Sequence, residues 1–212
     1  MTDLVVFDFE TSGMDPAEGA RPIEVGAVLL IQGQVGATFQ RLMDPGFSIS
    51  PIITAITGIN NTMLASAKPV AQVMLEFYDF CADYPLVAHN ASFDSAFLDK
   101  ELQSIGIEWH NSCFCSLLAA RRILPEASGF SLSRLATQFH LHASGPFHRA
   151  LTDADVTAQL WLLLMERLRQ NIGLQEIPLS LIATINTMKI AQARSHLAQL
   201  AQREKQGWLF QK

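Results

Sequence analysis

The sequence predicts a mixed α/β fold, with a central sheet flanked by helices, and two observations support this prediction. Short apolar runs rich in β-branched and aromatic residues, as strands are, lie near residues 3–10, 23–31, 35–43, 85–89 and 112–116. The first three follow one another closely and predict an antiparallel meander, whereas the last two alternate with helical patterns. With 212 residues, of which 49% are hydrophobic, the chain is long enough to bury one sizeable core.

The first strand carries two acids at positions where a buried strand would continue with apolar side chains. Because side chains alternate along a strand, Val6, Asp8 and Glu10 point to one face of the segment Leu4–Glu10. Two carboxylates on one buried face repel each other and lose hydration, and a divalent ion or a shared proton relieves both effects. The segment therefore predicts a cation site, although acids that cap a strand end in solvent are an alternative.

A third acid, Asp94, lies near the start of a helix that follows the strand at residues 85–89. Asn90 or Ser92 can serve as the N-cap, which places Asp94 in the first helical turn. At about 100° per residue, Asp94 shares a face with later apolar residues, whereas Asp99 lies toward the polar side. Asp94 is therefore predicted to point inward, although the helix dipole stabilises an acid in a first turn whatever its function.

A fourth acid, Asp153, lies in a helix that is predicted to begin near Ala150. It falls on the apolar stripe of that helix, three residues before Val156, whereas Asp155 lies roughly 200° further round and is expected to face water. We therefore select Asp153 over Asp155 as the inward-facing acid. His148 precedes the helix, and from a loop or first turn its imidazole can reach the acids, although a single histidine is more often a structural or surface residue.

Three segments that contain these residues resemble, in order, the motifs of one enzyme family. FDFETSGM at residues 7–14, HNASFDSAFL at 89–98 and HRALTDADVT at 148–157 are similar to the motifs of the DEDDh group of DnaQ-like 3′-to-5′ exonucleases. Further similar segments at residues 21–30, 49–59 and 116–125 keep the resemblance in register over about the first 170 residues. The resemblance extends to the exonuclease domain of DNA polymerase III epsilon subunits, and it implies a ribonuclease H-like fold.

The resemblance also implies roles for individual residues. Two divalent ions, Mg²⁺ or Mn²⁺, would be bound by Asp8, Glu10, Asp94 and Asp153, and His148 would deprotonate the attacking water. Hard oxygen ligands select such cations, and a neutral imidazole accepts protons near physiological pH. A pocket for the terminal nucleotide is implied at Thr11, Gly13, Met14, Ile56, Thr57, Asn90 and Phe93. Aromatic and methionine side chains suit a base, although both also fill cores.

The chain departs from the family pattern at three positions. Phe9 stands between the first two acids, where many members have a small residue, but it points to the opposite face of the strand. Thr57 precedes a glycine where members often carry His, which bears on base or sugar contacts rather than on the metal site. Cys115 stands where relatives commonly have Asp before the helix at residues 116–125.

The formal net charge of −5 argues against a protein that grips duplex DNA through an extensive basic surface, because such binding neutralises phosphates with Lys and Arg. Processive binding by this chain alone is therefore not expected. Positive charges remain near the predicted acids at Lys100, Arg121, Arg122, Arg134 and Arg149, although single surface charges of this kind are usually solvated.

Three cysteines, Cys81, Cys113 and Cys115, make an odd number with no second pair to complete a tetrahedral zinc site. The N-terminus lacks the basic and apolar regions of a signal peptide, and no apolar run approaches the ~18 residues of a membrane span. We therefore expect a cytoplasmic protein in a reducing environment, without a membrane partner.

A boundary is predicted near residues 171–178, where Gly173 and Pro178 interrupt the helical pattern. It divides the chain into an exonuclease domain, residues 1–172, and a C-terminal amphipathic helical extension, residues 173–212. The extension has an apolar face from about Pro178 to Arg203. It can pack on its own domain, which is the commoner outcome, form a homodimer through the C-terminal helix, or engage a DNA polymerase.

The favoured function is a metal-dependent 3′-to-5′ exonuclease that releases nucleoside 5′-monophosphates from single-stranded or frayed DNA 3′ ends, in proofreading or repair. An exoribonuclease of the same family is the first alternative, because the motifs specify phosphodiester hydrolysis and not the sugar. A noncatalytic nucleic-acid or polymerase-interaction module is the second, against which the intact acids and His148 argue.

Overall fold

A six-stranded mixed sheet forms the centre of the computed structural model, which describes residues 2–209, with side chains as far as residue 206. The strands are β1 (Leu4–Thr11), β2 (Pro22–Ile31), β3 (Gln34–Asp44), β4 (Lys68–Pro69), β5 (Leu86–Ala88) and β6 (Cys113–Cys115). Their order is β4-β3-β2-β1-β5-β6. The first three form an antiparallel meander, β5 runs parallel to β1 and to β6, and β4 runs parallel to β3. The predicted α/β class is confirmed, and the two-residue β4 is an addition to it.

Helices cover both faces of this sheet. After a short 3-10 helix (Pro16–Glu18) come α1 (Pro51–Thr57), α2 (Asn61–Ala65), α3 (Val70–Cys81), α4 (Ala91–Ser104), α5 (Ser116–Ile123), α6 (Leu132–Phe139), α7 (Ala150–Ile172), α8 (Leu179–Thr187) and α9 (Ile190–Leu209). Alternation along β1 divides the core into two layers. Leu4 and Val6 pack with buried residues of α5 and α7, whereas Val5, Phe7 and Phe9 pack with those of α3 and α4.

Gly26 of β2 allows α7 to approach the sheet closely. A Cβ atom at this position would lie 2.1 Å from the backbone nitrogen of Leu151 and 2.2 Å from the carbonyl carbon of Ala150. Any side chain would therefore displace the first turn of α7. Because Gly26 pairs with Asp8 across the β1–β2 ladder, the helix begins beside the acidic end of β1.

The C-terminal segment differs from the prediction in one respect. The amphipathic stretch that was expected to run from Pro178 to Arg203 consists of two helices, because Met188 between them has extended backbone, with φ −78° and ψ 155°. The break leaves the carbonyl of Met188 free to accept a hydrogen bond from the buried guanidinium of Arg122. The prediction of a single helix over this segment is therefore wrong, although apolar residues of both helices pack against the core as predicted.

The predicted packing of this segment on its own domain is confirmed. Leu181, Ile182, Ile185 and Ala193 are buried in the same cluster as the apolar residues of α7. The helix α7 ends at Ile172, at the predicted boundary, but the division into two domains stays a prediction. Of the two proposed domains, Met1 and residues 210–212 lie outside the described residues. Within residues 2–209, none of the helices combines the length and apolar character needed to cross a bilayer.

Candidate active site

The five residues predicted to be catalytic line one cleft with a volume of about 330 Å³. Asp8 and Glu10 come from β1, Asp94 from the first turn of α4, and Asp153 from the first turn of α7. His148 precedes α7, outside the helix, as expected. The close approach of α7 to β2 and the end of β1 thus brings carboxylates from three elements together.

Asp94 is joined directly to β1. Its Oδ1 atom accepts a hydrogen bond of 3.1 Å from the backbone N–H of Phe9, the residue between the two acids of that strand. The helix that carries Asp94 is held in turn by a two-pronged contact, in which Arg21 donates from Nε and Nη2 to the two carboxylate oxygens of Glu101 at 2.9 and 2.6 Å. These contacts place the Asp94 carboxylate beside Asp8 and Glu10.

The two oxygens of Asp153 have different surroundings. Oδ2 accepts a hydrogen bond of 3.0 Å from the backbone N–H of His148, whereas Oδ1 is buried without a hydrogen-bond partner. One ligand atom each of Glu10, His148 and Asp153 lies within 4.8 Å of the others. A buried carboxylate oxygen without a donor is costly, and a cation among these oxygens would satisfy it.

Burial and mutual repulsion raise the pKa values of the acids. Burial, with smaller contributions from Asp94, Asp153 and Glu10, raises the pKa of Asp8 well above its usual range. Burial, followed by Asp153 and Glu24, raises the pKa of Glu10 to about 8, and burial raises the pKa of Asp94 to about 7. Such a cluster is stable near neutral pH when protons or a cation neutralise it. Its hard oxygen donors fit a divalent metal ion.

Helical position separates the acids that line the cleft from neighbouring acids that do not, although Asp155, which is predicted to face water, is only partly exposed. Asp94 and Asp153 are buried, whereas Asp99 is exposed. Asp155 is half-buried outside the cleft and accepts a hydrogen bond of 3.1 Å from the amide of Gln159, one turn along α7.

The family model for exonucleases of the RNase T type matches residues 5–161. The chain belongs to this exonuclease family. It is 33% identical to the DNA polymerase III epsilon subunit of Aquifex aeolicus over 172 residues, which cover 81% of this chain and 84% of that protein. It is 38% identical to the PolC-type DNA polymerase III of Thermotoga maritima over 177 residues, 82% of this chain, but it spans only 12% of that longer relative.

Solved structures have the same fold. Exonuclease X, in complex with 5′ overhanging duplex DNA, superposes with a TM-score of 0.67 at 27% identity over 86% of this chain and 99% of that one. The nuclease domain of 3′hExo, a DEDDh family member bound to rAMP, has a TM-score of 0.66 at 19% identity over 77% of this chain and 92% of that domain. The predicted ribonuclease H-like fold and family resemblance are confirmed.

Six of the seven residues predicted to bind the nucleotide line the cleft of this exonuclease, namely Thr11, Gly13, Met14, Ile56, Thr57 and Phe93. Met14 is 80% exposed and Ile56 is 49% exposed, so large apolar side chains stand at the mouth of the cleft. Asn90 is exposed at the N-cap of α4 and is not among the lining residues. The roles of all seven stay predictions.

The departures from the family pattern have local explanations. The ring of Phe9 packs against Phe7 and Phe77 with centroids 5.5 and 5.9 Å away, in the core layer of α3 and α4. The hydroxyl of Thr57 donates to the carbonyl of Ile53 at 2.9 Å, at the end of α1. Cys115 is the N-cap of α5, where its sulfur accepts a hydrogen bond of 3.5 Å from the N–H of Leu118, a position that Asp also suits.

Four residues of the cleft, Phe9, Ile53, His89 and Leu132, were not predicted to line it. The ring nitrogens of His89 lie 2.9 Å from the hydroxyl of Ser116 and 3.0 Å from the carbonyl of Phe130, and burial lowers the pKa of His89. Burial therefore favours the neutral imidazole of His89, although the hydrogen bond to Phe130 acts in the opposite direction. His89 is the first residue of the family-like segment HNASFDSAFL, and its place there could have indicated that it belongs to the site. Ile53 and Leu132 reach the site only through the tertiary packing of α1 and α6.

None of the five positive residues predicted near the site lines the cleft among the described residues. Lys100 donates to the carbonyl of Pro16, and Arg121 lies over the ring of Phe130 with its guanidinium carbon 5.9 Å from the centroid. Arg149 is bound to Glu24. Positive charge at the exonuclease site would therefore come from bound metal.

Proposed function

We propose that this exonuclease removes nucleoside 5′-monophosphates one at a time from the 3′ end of a DNA strand. The observation that carries the proposal is the meeting of four carboxylates in one cleft, with one buried oxygen of Asp153 lacking a partner. The comparisons support the substrate and polarity, since the related Exonuclease X was solved with duplex DNA and a relative from Bacillus subtilis, 34% identical over 171 residues, is named 3′-5′ exonuclease DinG.

Two divalent ions, Mg²⁺ or Mn²⁺, are the proposed cofactors, held by Asp8, Glu10, Asp94 and Asp153. When bound, the ions neutralise these carboxylates and polarise both the scissile phosphate and the attacking water. The Oδ1 atom of Asp153 is the oxygen of that residue that is available to a cation, because Oδ2 already accepts the N–H of His148.

His148 is the proposed general base. Its side chain is exposed at the cleft while its backbone is anchored to Asp153, so the imidazole can take a proton from water beside the scissile phosphate. Attack of that water on phosphorus breaks the bond to the 3′ oxygen of the preceding nucleotide and releases a 5′-monophosphate.

The terminal nucleotide is proposed to bind among the apolar residues of the cleft. Met14, Ile56 and Phe93 offer surfaces on which a base can stack whatever its identity, which suits an enzyme that removes any nucleotide. With a net charge of −5 and no predicted cation lining the cleft among the described residues, the enzyme alone grips the strand weakly. We therefore propose short contacts with single-stranded or frayed ends.

A DNA polymerase is the proposed partner, because the relatives include epsilon and PolC-type polymerase III proteins. The buried residues of α8 pack in the chain's own core, so a polymerase or a second copy of the chain would contact the outer face of the C-terminal helices. Gel filtration with and without a polymerase distinguishes a complex with the polymerase from a homodimer of this chain. We place the activity in the cytoplasm, the reducing compartment that the free cysteines favour.

A degradation assay tests the proposed activity. Matched DNA and RNA strands labelled at the 5′ end are incubated with Mg²⁺, with Mn²⁺ or with chelator, and products are resolved by length. Metal-dependent stepwise shortening of the DNA, with release of nucleoside 5′-monophosphates, is expected. Faster shortening of the RNA would establish the exoribonuclease alternative, and absence of cleavage with either metal would favour a noncatalytic module.

A further inference from the structure

A fifth carboxylate, Glu24, lies behind the cleft without lining it. It stands opposite Glu10 on the neighbouring strand β2 and is fully buried. Two like charges that face each other across a ladder are destabilising, and a buried charge needs partners. The energetic cost of keeping Glu24 there therefore calls for an explanation.

The partners of Glu24 are concentrated on the segment that follows His148. Arg149 donates to it from Nε at 3.1 Å and from Nη2 at 2.7 Å, and the backbone N–H of Ala150 donates at 3.0 Å. A fourth bond of 2.9 Å comes from the side chain of Gln40 on β3. Three of the four bonds thus attach the start of α7 to the sheet.

His148 needs such an attachment because of its backbone conformation. Its φ angle is +64°, in the left-handed region that a residue with a side chain enters only at a cost. On the preceding side, the N–H of His148 is bound to Asp153, and on the following side Arg149 and Ala150 are bound to Glu24. The conformation is therefore held between two carboxylates.

We propose that Glu24 is a positioning residue for hydrolysis, which acts by holding His148 in the left-handed conformation that brings its imidazole beside Glu10 and Asp153. Glu24 does this through Arg149 and Ala150, and it contacts neither the substrate nor the metal. The inference rests on the proposed function, because a positioned base matters only where water is activated.

A double-mutant cycle between Glu24 and His148 tests this role. Glu24→Gln keeps the size of the side chain but loses the charge that binds both prongs of Arg149. It is expected to lower kcat about 10- to 100-fold and to change KM for an oligonucleotide by less than about twofold, since a displaced base affects the chemical step. In a His148→Ala background, the same substitution should cost almost nothing further, because the residue it positions is absent.

Three other results would overturn the proposal. Equal losses from Glu24→Gln with and without His148 would mean that Glu24 acts independently of the base, and an unchanged kcat would mean that it does not act at all. A loss of Mg²⁺ affinity in calorimetry, larger than about threefold, would assign Glu24 to the support of the metal ligands instead. If Glu24→Gln does not fold, Arg149→Lys replaces it in the double-mutant cycle with His148→Ala. This substitution keeps the positive charge but loses the two-pronged hydrogen bonding of the guanidinium.

The pair Arg21–Glu101 provides a matched control. Its side chains are 32% and 4% exposed, against 33% and 1% for Arg149–Glu24, and both pairs are joined by two hydrogen bonds. Glu101→Gln should lower the melting temperature by a similar amount, but any effect on kcat should be the same in the His148→Ala background. A wild-type protein that releases no mononucleotide would refute the proposed function, whereas an active enzyme with an additive cycle would refute only the role of Glu24.

Discussion

The backbone N–H of Phe9 and the carboxylate of Asp94 are joined by a hydrogen bond of 3.1 Å, which connects α4 to β1 between the two acids of that strand. The bond uses one carboxylate oxygen of Asp94, and the whole residue is buried. It lowers the pKa of Asp94, but burial outweighs it and raises the value to about 7. Asp94 is thus held in place by β1 at a position where its charge is unfavourable without a cation.

Asp94→Asn separates the effect of the hydrogen bond to Phe9 from the effect of the buried charge. The amide oxygen of Asn can still accept the N–H of Phe9, but the charge is gone, so we expect kcat to fall at least 100-fold through weakened metal binding. In chelator at pH 8, the free energy of unfolding should rise by about 1 kcal/mol, because a buried charge and its repulsion are removed. Denaturant titration measures this change. Asp99→Asn, on the exposed side of α4, is the control. If Asp94→Asn lowered the free energy of unfolding while Asp99→Asn left it unchanged, the idea that the charge of Asp94 destabilises the metal-free protein would be contradicted.

Asp153 and Asp155 test the helical-face argument within one turn of α7. Asp153→Asn should abolish turnover, because its Oδ1 atom is buried without a hydrogen-bond partner and is the oxygen proposed to bind a cation. Asp155→Asn should leave kcat/KM within about twofold, because its carboxylate binds Gln159 outside the cleft. Initial rates with a 5′-labelled oligonucleotide compare the two variants, and equal losses would show that burial does not identify the ligand.

Local periodicity was sufficient to predict the acids, and it failed where distant segments meet. The alternation of β1 and the faces of α4 and α7 depend on neighbouring residues, so Asp8, Asp94 and Asp153 could be selected from the sequence. The contact between Glu24 and Arg149 joins residues 125 positions apart and depends on the absence of a side chain at Gly26. No local pattern encodes such a contact.

The same limit explains the two other differences. At the break, the carbonyl of Met188 accepts a hydrogen bond from Arg122 on α5, and the apolar spacing of the C-terminal segment could not reveal this contact. Burial in the folded protein lowers the pKa of His89, and its ring contacts the carbonyl of Phe130, 41 residues away. The sequence therefore predicted which residues face inward, but not which of them are bound to one another.

His148→Ala should slow hydrolysis by about 10² to 10⁴, the usual contribution of a positioned base, while both metal ions remain bound. The reason is that the contact of His148 with Asp153 is made by the backbone N–H, which alanine retains. Single-turnover rates give the first quantity and calorimetry with Mg²⁺ the second. Loss of both ions in His148→Ala would identify the imidazole as a ligand instead of a base.

The stability of the metal-free protein should fall as the pH rises, and metal should reverse the trend. The pKa of Glu10 is raised from 4.5 to about 8 and that of Asp94 from 3.8 to about 7, so the folded protein binds these protons more tightly than the unfolded chain does. Their favourable contribution is present in full below pH 4 and is lost as the pH rises toward about 8.

Melting temperatures in chelator and in Mg²⁺ test this dependence between pH 5 and pH 8.5. In chelator the melting temperature should decline across the range, whereas with Mg²⁺ the decline should be small, because the ion replaces the lost protons. Glu10→Gln should flatten the profile in chelator, because it removes an acid whose pKa is raised to about 8. Parallel profiles with and without Mg²⁺ would mean that the ion does not bind among these carboxylates.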